Sequence, residues 1–154
     1  MRRYWLKALG SAANPIADDW TTAANGILTR HATFARKPDV RAGDSVIYYA
    51  AGSKLIFAEG DVTSHPYENG NDSPAWPWRV DVELEVAKRF VHDGARLELL
   101  NVPTSRNAVG LRIKRRSHVQ LSEEEFEAGV RALRDDGHER AVPRDLSRVS
   151  PLVD

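Results

Sequence analysis

The residues best suited to hold a ligand are two tryptophans at the head of a strand-like run. Residues 76–88 begin Trp76-Pro77-Trp78-Arg79 and continue with Val80, Val82, Leu84 and Val86, separated by Asp81, Glu83 and Glu85. A period of two marks a strand with one apolar and one wet face. The two indoles stand beside a loop of Asn, Gly, Asp and Ser, a suitable place to grip a flat ring by stacking; capping a core is the other use for them. Other chemistry is thin. The five histidines, at positions 31, 65, 92, 118 and 138, have no metal-ligand spacing, and with no cysteine there is no thiolate site or disulfide. Neither a phosphate-cradling glycine loop nor a nucleophile elbow occurs. Ser105-Arg106-Asn107 is polar and loop-like but has no evident base beside it. The carboxylates read as the wet face of strand 78–88 and of the last helix, so nothing supports an enzyme.

The formal net charge is zero, from 22 basic and 22 acidic residues, which does not suit a protein that coats nucleic acid indiscriminately. The distribution is uneven. From Asn101 to Leu121 there are Arg106, Arg112, Lys114, Arg115 and Arg116 and no acid; after Ser122 the acids dominate. This is either a polarised surface or an internal ion-pair arrangement.

The 154 residues suit one domain over positions 1–136 with a tail at 137–154. No apolar run is long enough to span a membrane, and the basic N-terminus lacks the apolar stretch of a signal peptide, so a cytoplasmic location is expected. Tyr4 to Leu9 reads as a strand. Asn14-Pro15 opens a short helical segment with Trp20 on its inner face. Ser45–Ala51 and Leu55–Val62, joined through Gly52-Ser53, form the strongest hairpin signal. Asp93 to Leu100 suggests a helical turn. Ser122-Glu123-Glu124-Glu125 is a capping box at the start of the clearest helix, with Phe126, Val130 and Leu133 at helical spacing. Short connections favour antiparallel pairing, and the order of elements fits an α+β fold: a strongly bent, mostly antiparallel β-barrel with peripheral helices. Val80, Val82, Leu84 and Val86 are expected to be buried with Val46, Phe57 and Phe126.

Several stretches resemble a known family. Tyr4-Trp5-Leu6-Lys7, Val40-Arg41-Ala42-Gly43-Asp44-Ser45-Val46-Ile47-Tyr48-Tyr49, Phe57-Ala58-Glu59-Gly60-Asp61-Val62 and Leu121-Ser122-Glu123-Glu124-Glu125-Phe126 are similar, in order and spacing, to EVE domains. Trp76 to Val82 and Val102 to Asn107 also resemble segments of YTH domains, which share the PUA-like superfamily. The resemblance implies a PUA-like barrel that holds a modified nucleobase turned out of its strand. It implies Trp76 as one wall of an aromatic cage and the Thr29-Arg30-His31 segment as the other. No tryptophan stands at 29–31, which leaves His31 as the available ring. Ser105, Arg106 and Asn107 become candidates for the base edge, and Arg112 and Arg115, with Arg106, for phosphates.

Stacking on one aromatic is worth about 1–3 kcal/mol, and extruding a paired base costs a few. Single strands or weakened pairs are therefore the expected targets. The expectation is a non-catalytic module that binds DNA or RNA carrying a modified base, with no metal or cofactor. The alternatives are a pocket for a free nucleobase or nucleoside, which needs no basic rim, and a nucleic-acid-processing enzyme, which needs a catalytic cluster.

Overall fold

The computed structural model describes residues 2–21, 31–68, 75–135 and 141–142. Nine strands among them form a single sheet, β1 (Tyr4–Leu9), β2 (His31–Phe34), β3 (Ser45–Ala50), β4 (Leu55–Val62), β5 (Tyr67–Glu68), β6 (Trp78–Lys88), β7 (Ala95–Arg96), β8 (His118–Leu121) and β9 (Ala141–Val142). Among the described residues the helices are α1 (Val109–Ile113) and α2 (Glu123–Asp135), with 3-10 turns at Val91–Asp93 and Leu97–Leu100. The main strand order is β2-β6-β4-β3-β1-β8, with β5 and β9 pairing β6 and β7 pairing β4.

The hairpin β3–β4 forms where the alternating residues and Gly52, at φ +99°, place it. Pairing is mostly antiparallel, as expected, but β1 and β3 run parallel, with Tyr4 opposite Ser45 and Leu9 opposite Ala50. A short turn cannot make such a pair. It follows from the long excursion through β2, which sends the chain to the far edge before it returns beside β1.

Two bulges curl the sheet. One lies in β3–β4 next to Tyr48, the other in β4–β6, where Glu59 faces Val86 and the adjacent Gly60 faces Leu84. An added residue raises the local twist and reverses the in–out phase beyond it. Gly60 is required at that crossing, since a Cβ there would sit 2.5 Å from the Glu83 carbonyl oxygen.

The phase reversal corrects the expected core. Val80, Val82 and Leu84 are buried inside the curl with Val46 and Phe57, but Val86 turns to the other face, with Phe126. On that second face Leu6, Ile47 and Ile56 of the sheet cluster with Leu100 of the 3-10 turn and Leu133 of α2. Asp81, Glu83 and Glu85 are half-buried rather than fully wet.

Two local expectations also change. Ser11 and Asn14 exchange backbone hydrogen bonds in a tight turn, and no helix begins at Pro15 among the described residues. Trp20 is nevertheless fully buried and donates its indole N–H to the Lys88 carbonyl at 2.7 Å. The basic stretch from Asn101 to Leu121 contains α1 and then β8, and within 93–100 a two-residue strand precedes the 3-10 turn.

Candidate functional site

The curled sheet leaves a seam. Its terminal strands, β2 and β8, share no ladder, yet the last residue of β2 meets the first of β8: the Phe34 and His118 rings stand edge to face, 4.8 Å apart. The backbone groups along an unpaired edge are open to other partners, and here one ring pair bridges the strand ends.

A polar row crosses the inner face beside this seam. Lys7 pairs with Tyr48 on β3 and with His118 on β8. Trp5, Lys7 and Leu9 alternate along β1, and the apolar pair belongs to the inner core, so Lys7 points inward between them. Lys7 is 3% exposed. Its ammonium lies 5.0 Å from the Phe34 ring centroid and 5.5 Å from that of Trp76, and donates to the Ala8 carbonyl at 3.1 Å. No described carboxylate is paired with it. Burial lowers its pKa to about 8, so it remains mostly charged at neutral pH.

Tyr48, opposite Lys7 in the register of the neighbouring strand, carries a hydroxyl that is fully buried and has no hydrogen-bond partner; Lys88 Nζ is the other such atom among the described residues. Burial raises the Tyr48 pKa. His118 is held below its ordinary pKa, first by burial and then by the Lys7 charge, against a smaller opposing pull from Asp39. Its Nδ1 lies 2.7 Å from Ser117 Oγ.

Trp76 lies at the mouth of this row and is 42% exposed, which singles it out among the large apolar residues near the seam. Trp78 is half-buried and covered by the Lys37 ammonium, 5.8 Å from its ring. Basic residues flank the seam on both lips. Arg36 and Lys37 follow β2 directly, and Lys114, Arg115 and Arg116 precede β8. Because the end of β2 meets the start of β8, both runs lie at the same end of the seam. Arg115 occupies a tight turn at φ 64°. Arg106, Lys114, Arg115 and Arg116 are exposed and pair with no described carboxylate.

The other candidates from the sequence are engaged elsewhere. Thr29 and Arg30 lie outside the described residues. His31 sits on β2 with Nδ1 2.9 Å from Asp81 Oδ1, and the same oxygen accepts from Tyr67 Oη at 2.7 Å. That grip fixes the imidazole against the sheet rather than opposite Trp76.

Arg112 donates to both carboxylate oxygens of Glu125, at 2.7 and 2.8 Å, and to the Gln120 carbonyl. Ser105 Oγ donates to the same carboxylate at 2.5 Å, and the Ser122 amide does so at 2.9 Å. Glu125 is 2% exposed. Burial pushes its pKa up, but the hydrogen bonds from Arg112, Ser105 and Ser122 more than reverse this and bring it to about 2. Arg112 is thus committed to a buried ion pair and has little left for a phosphate. The capping box forms as expected, with the Glu125 amide donating to Ser122 Oγ. Ser105, Arg106 and Asn107 line a shallow cleft of about 440 Å³ next to this clamp.

The sequence names Trp76 and Arg115 as candidates and does not single out Lys7, Tyr48 or His118. The available signal was Lys7 itself, a charge in the apolar phase of β1, where Trp5 and Leu9 set the inward face. Among the described residues no three His, Asp or Glu converge as a metal site would need.

A strongly curled mixed sheet with outer helices and an open seam defines a PUA-like fold. The EVE domain family model matches residues 3–131, and the chain belongs to that family. An NMR structure of the structural-genomics target Rpa0253 from Rhodopseudomonas palustris is similar, with a TM-score of 0.52 at 15% identity over 85% of this chain and 92% of that one. At that identity the likeness concerns the fold. No curated protein matches the chain.

Proposed function

We propose that the protein is a non-catalytic module that binds nucleic acid by taking one base, in modified form, against Trp76 at the β2–β8 seam. The observation that carries this reading is the exposed Trp76 ring beside a buried, carboxylate-free lysine, with basic residues on both lips of the same seam. An indole offers a stacking face that tolerates any base. The exposed arginines supply backbone contacts that carry no sequence information. A formal net charge of zero fits recognition of a site more than coating of a strand. No described helix is long and apolar enough to cross a membrane, and the proposed setting is the cytoplasm.

Trp76→Ala tests the reading. Binding of a single-stranded oligonucleotide should weaken by about 1–3 kcal/mol, roughly ten- to a hundredfold. Thermal melting should hardly change, since the ring sits at a mouth. Equal binding by mutant and wild type, across a panel of methylated and hydroxymethylated bases, would remove Trp76 from the site. A mutant that melts far below wild type would make the ring a core residue. Salt-independent binding of a free nucleoside, with none of an oligonucleotide, would transfer the pocket to small-molecule recognition.

A further inference from the structure

Lys7 and Tyr48 have an arrangement that recognition by stacking leaves unexplained. A lysine ammonium carries three N–H donors and accepts nothing. One is used on the Ala8 carbonyl. The remaining two meet no described acceptor and lie under the Phe34 and Trp76 rings. The Tyr48 hydroxyl on the adjoining strand is likewise buried and unused. Buried polar groups normally find partners, and those that do not are costly to keep. An interior that holds spare donors between aromatic walls suits a ligand that is flat and presents an acceptor.

We infer that Lys7, with Tyr48 beside it, donates to a ring carbonyl of the bound base, so that the seam takes oxo bases and disfavours rings whose corresponding edge carries an amino group or hydrogen. This rests on the proposed binding at Trp76 and names the class of ligand.

A carbonyl oxygen has two lone pairs, so one that accepts from Lys7 keeps a second for the Tyr48 hydroxyl on the neighbouring strand. An amino group directed at an ammonium brings donor against donor, which costs more in a dry site than in water. A phosphate suits this position poorly. It needs many donors and keeps much of its water, and the surroundings are Trp5, Phe34 and Trp76. The exposed Arg115 and Arg116 are better placed for phosphates.

The ionisable groups around Lys7 separate cleanly. From β8, His118 titrates below its ordinary value; from β3, Tyr48 titrates above its own. Asp39 acts on His118. From β2 and the loop before β6, Phe34 and Trp76 do not titrate. Lys7 is the member of this set that changes charge near pH 8.

The test uses single strands in which one base stands among abasic spacers, and compares hypoxanthine with purine, which differ at the C6 carbonyl, and thymine with adenine. The wild type should prefer the oxo member of each pair by about ten- to a hundredfold, the scale of one charge-assisted hydrogen bond. Lys7→Met, which keeps the length of the side chain and removes a buried charge, should fold, still bind, and lose the preference. Wild-type affinity for the thymine strand should fall above about pH 8, a decline the Met variant does not share. Equal binding of oxo and non-oxo members, or a preference that survives in Lys7→Met, overturns the inference and leaves binding at Trp76 standing. Failure of all four strands, while a strand with a methylated or hydroxymethylated base binds through Trp76, overturns the inference alone; failure of that strand as well overturns both.

Discussion

Two buried charges, Glu125 and Lys7, lie in the same small fold under opposite conditions. Glu125 is enclosed by donors: the Arg112 fork, the Ser105 hydroxyl and the Ser122 amide all reach its carboxylate. Lys7 is equally enclosed but by rings, with a single carbonyl for its three protons. The carboxylate is pulled to a pKa of about 2 and the ammonium is pushed down to about 8. The same low-dielectric interior acts against both charges, raising the pKa of Glu125 and lowering that of Lys7, and only at Glu125 is it overridden. Their meaning differs, because hydrogen bonds reward the charged form of Glu125 and nothing comparable rewards that of Lys7. A satisfied buried charge fastens elements together. Glu125 ties α1, the 102–107 loop and the start of α2. An unsatisfied one costs stability, and its retention at an open seam is what directs attention to a ligand.

The largest expected effect lies on the satisfied side. Glu125→Ala strands the Arg112 guanidinium and removes half of the capping box. It should cost about 3–5 kcal/mol of unfolding free energy in urea titration, the range for breaking a buried pair by losing one partner. The wild type should also lose the clamp in acid. A carboxylate whose folded pKa is depressed contributes stability that is full above its unfolded value and lost as pH falls toward the folded one. That window runs from about 4.5 to about 2. A Glu125→Ala protein as stable as wild type would erase the contrast between the two sites.

Lys7→Met should move stability the other way. With folded and unfolded pKa values of about 8 and 10.5, burying the charge costs on the order of 3 kcal/mol near neutral pH. The sign follows from proton counts. Between these values the unfolded chain binds more protons than the folded one, so wild-type stability rises with pH. The advantage of the Met variant should therefore be greatest below pH 8 and shrink toward 10.5. Parallel urea titrations across that range measure it directly. A Met variant less stable than wild type at neutral pH would mean that Lys7 has a structural partner.

The fold was legible where local chemistry and tertiary context agree. The β3–β4 hairpin, the capping box and the apolar phase of β6 up to Leu84 follow from residue order alone. Val86 did not, because a bulge depends on what lies opposite, and Glu59-Gly60 is far away in the sequence. The parallel β1–β3 pair is hidden for a similar reason, since the excursion through β2 is not visible in turn residues. The site was half legible. An exposed tryptophan beside a polar loop can be read from sequence. Whether Arg112 faces a phosphate or Glu125 cannot, because the two residues lie on different helices. Lys7 was overlooked because a charge at an inward position looks, one residue at a time, like ordinary surface.

The smallest expected effect separates arginines that look alike in sequence. Arg115 is exposed in the turn before β8 and has no described carboxylate partner; Arg112 is three residues earlier and bound to Glu125. If nucleic acid crosses the basic lips, oligonucleotide affinity should fall as salt rises, with a log–log slope of about 0.7–0.9 per phosphate contact. Arg115→Glu should flatten that slope by roughly one contact and leave melting nearly unchanged. Arg112→Glu should do the reverse in kind: it places two carboxylates together in a buried site, so the protein should melt early before any change in slope can be read. Salt titration and melting on the two variants therefore form a crossed pair. Arg115→Glu with an unaltered slope would remove the β8 lip from the interface, and a stable Arg112→Glu would show that the Glu125 clamp is weaker than its geometry implies.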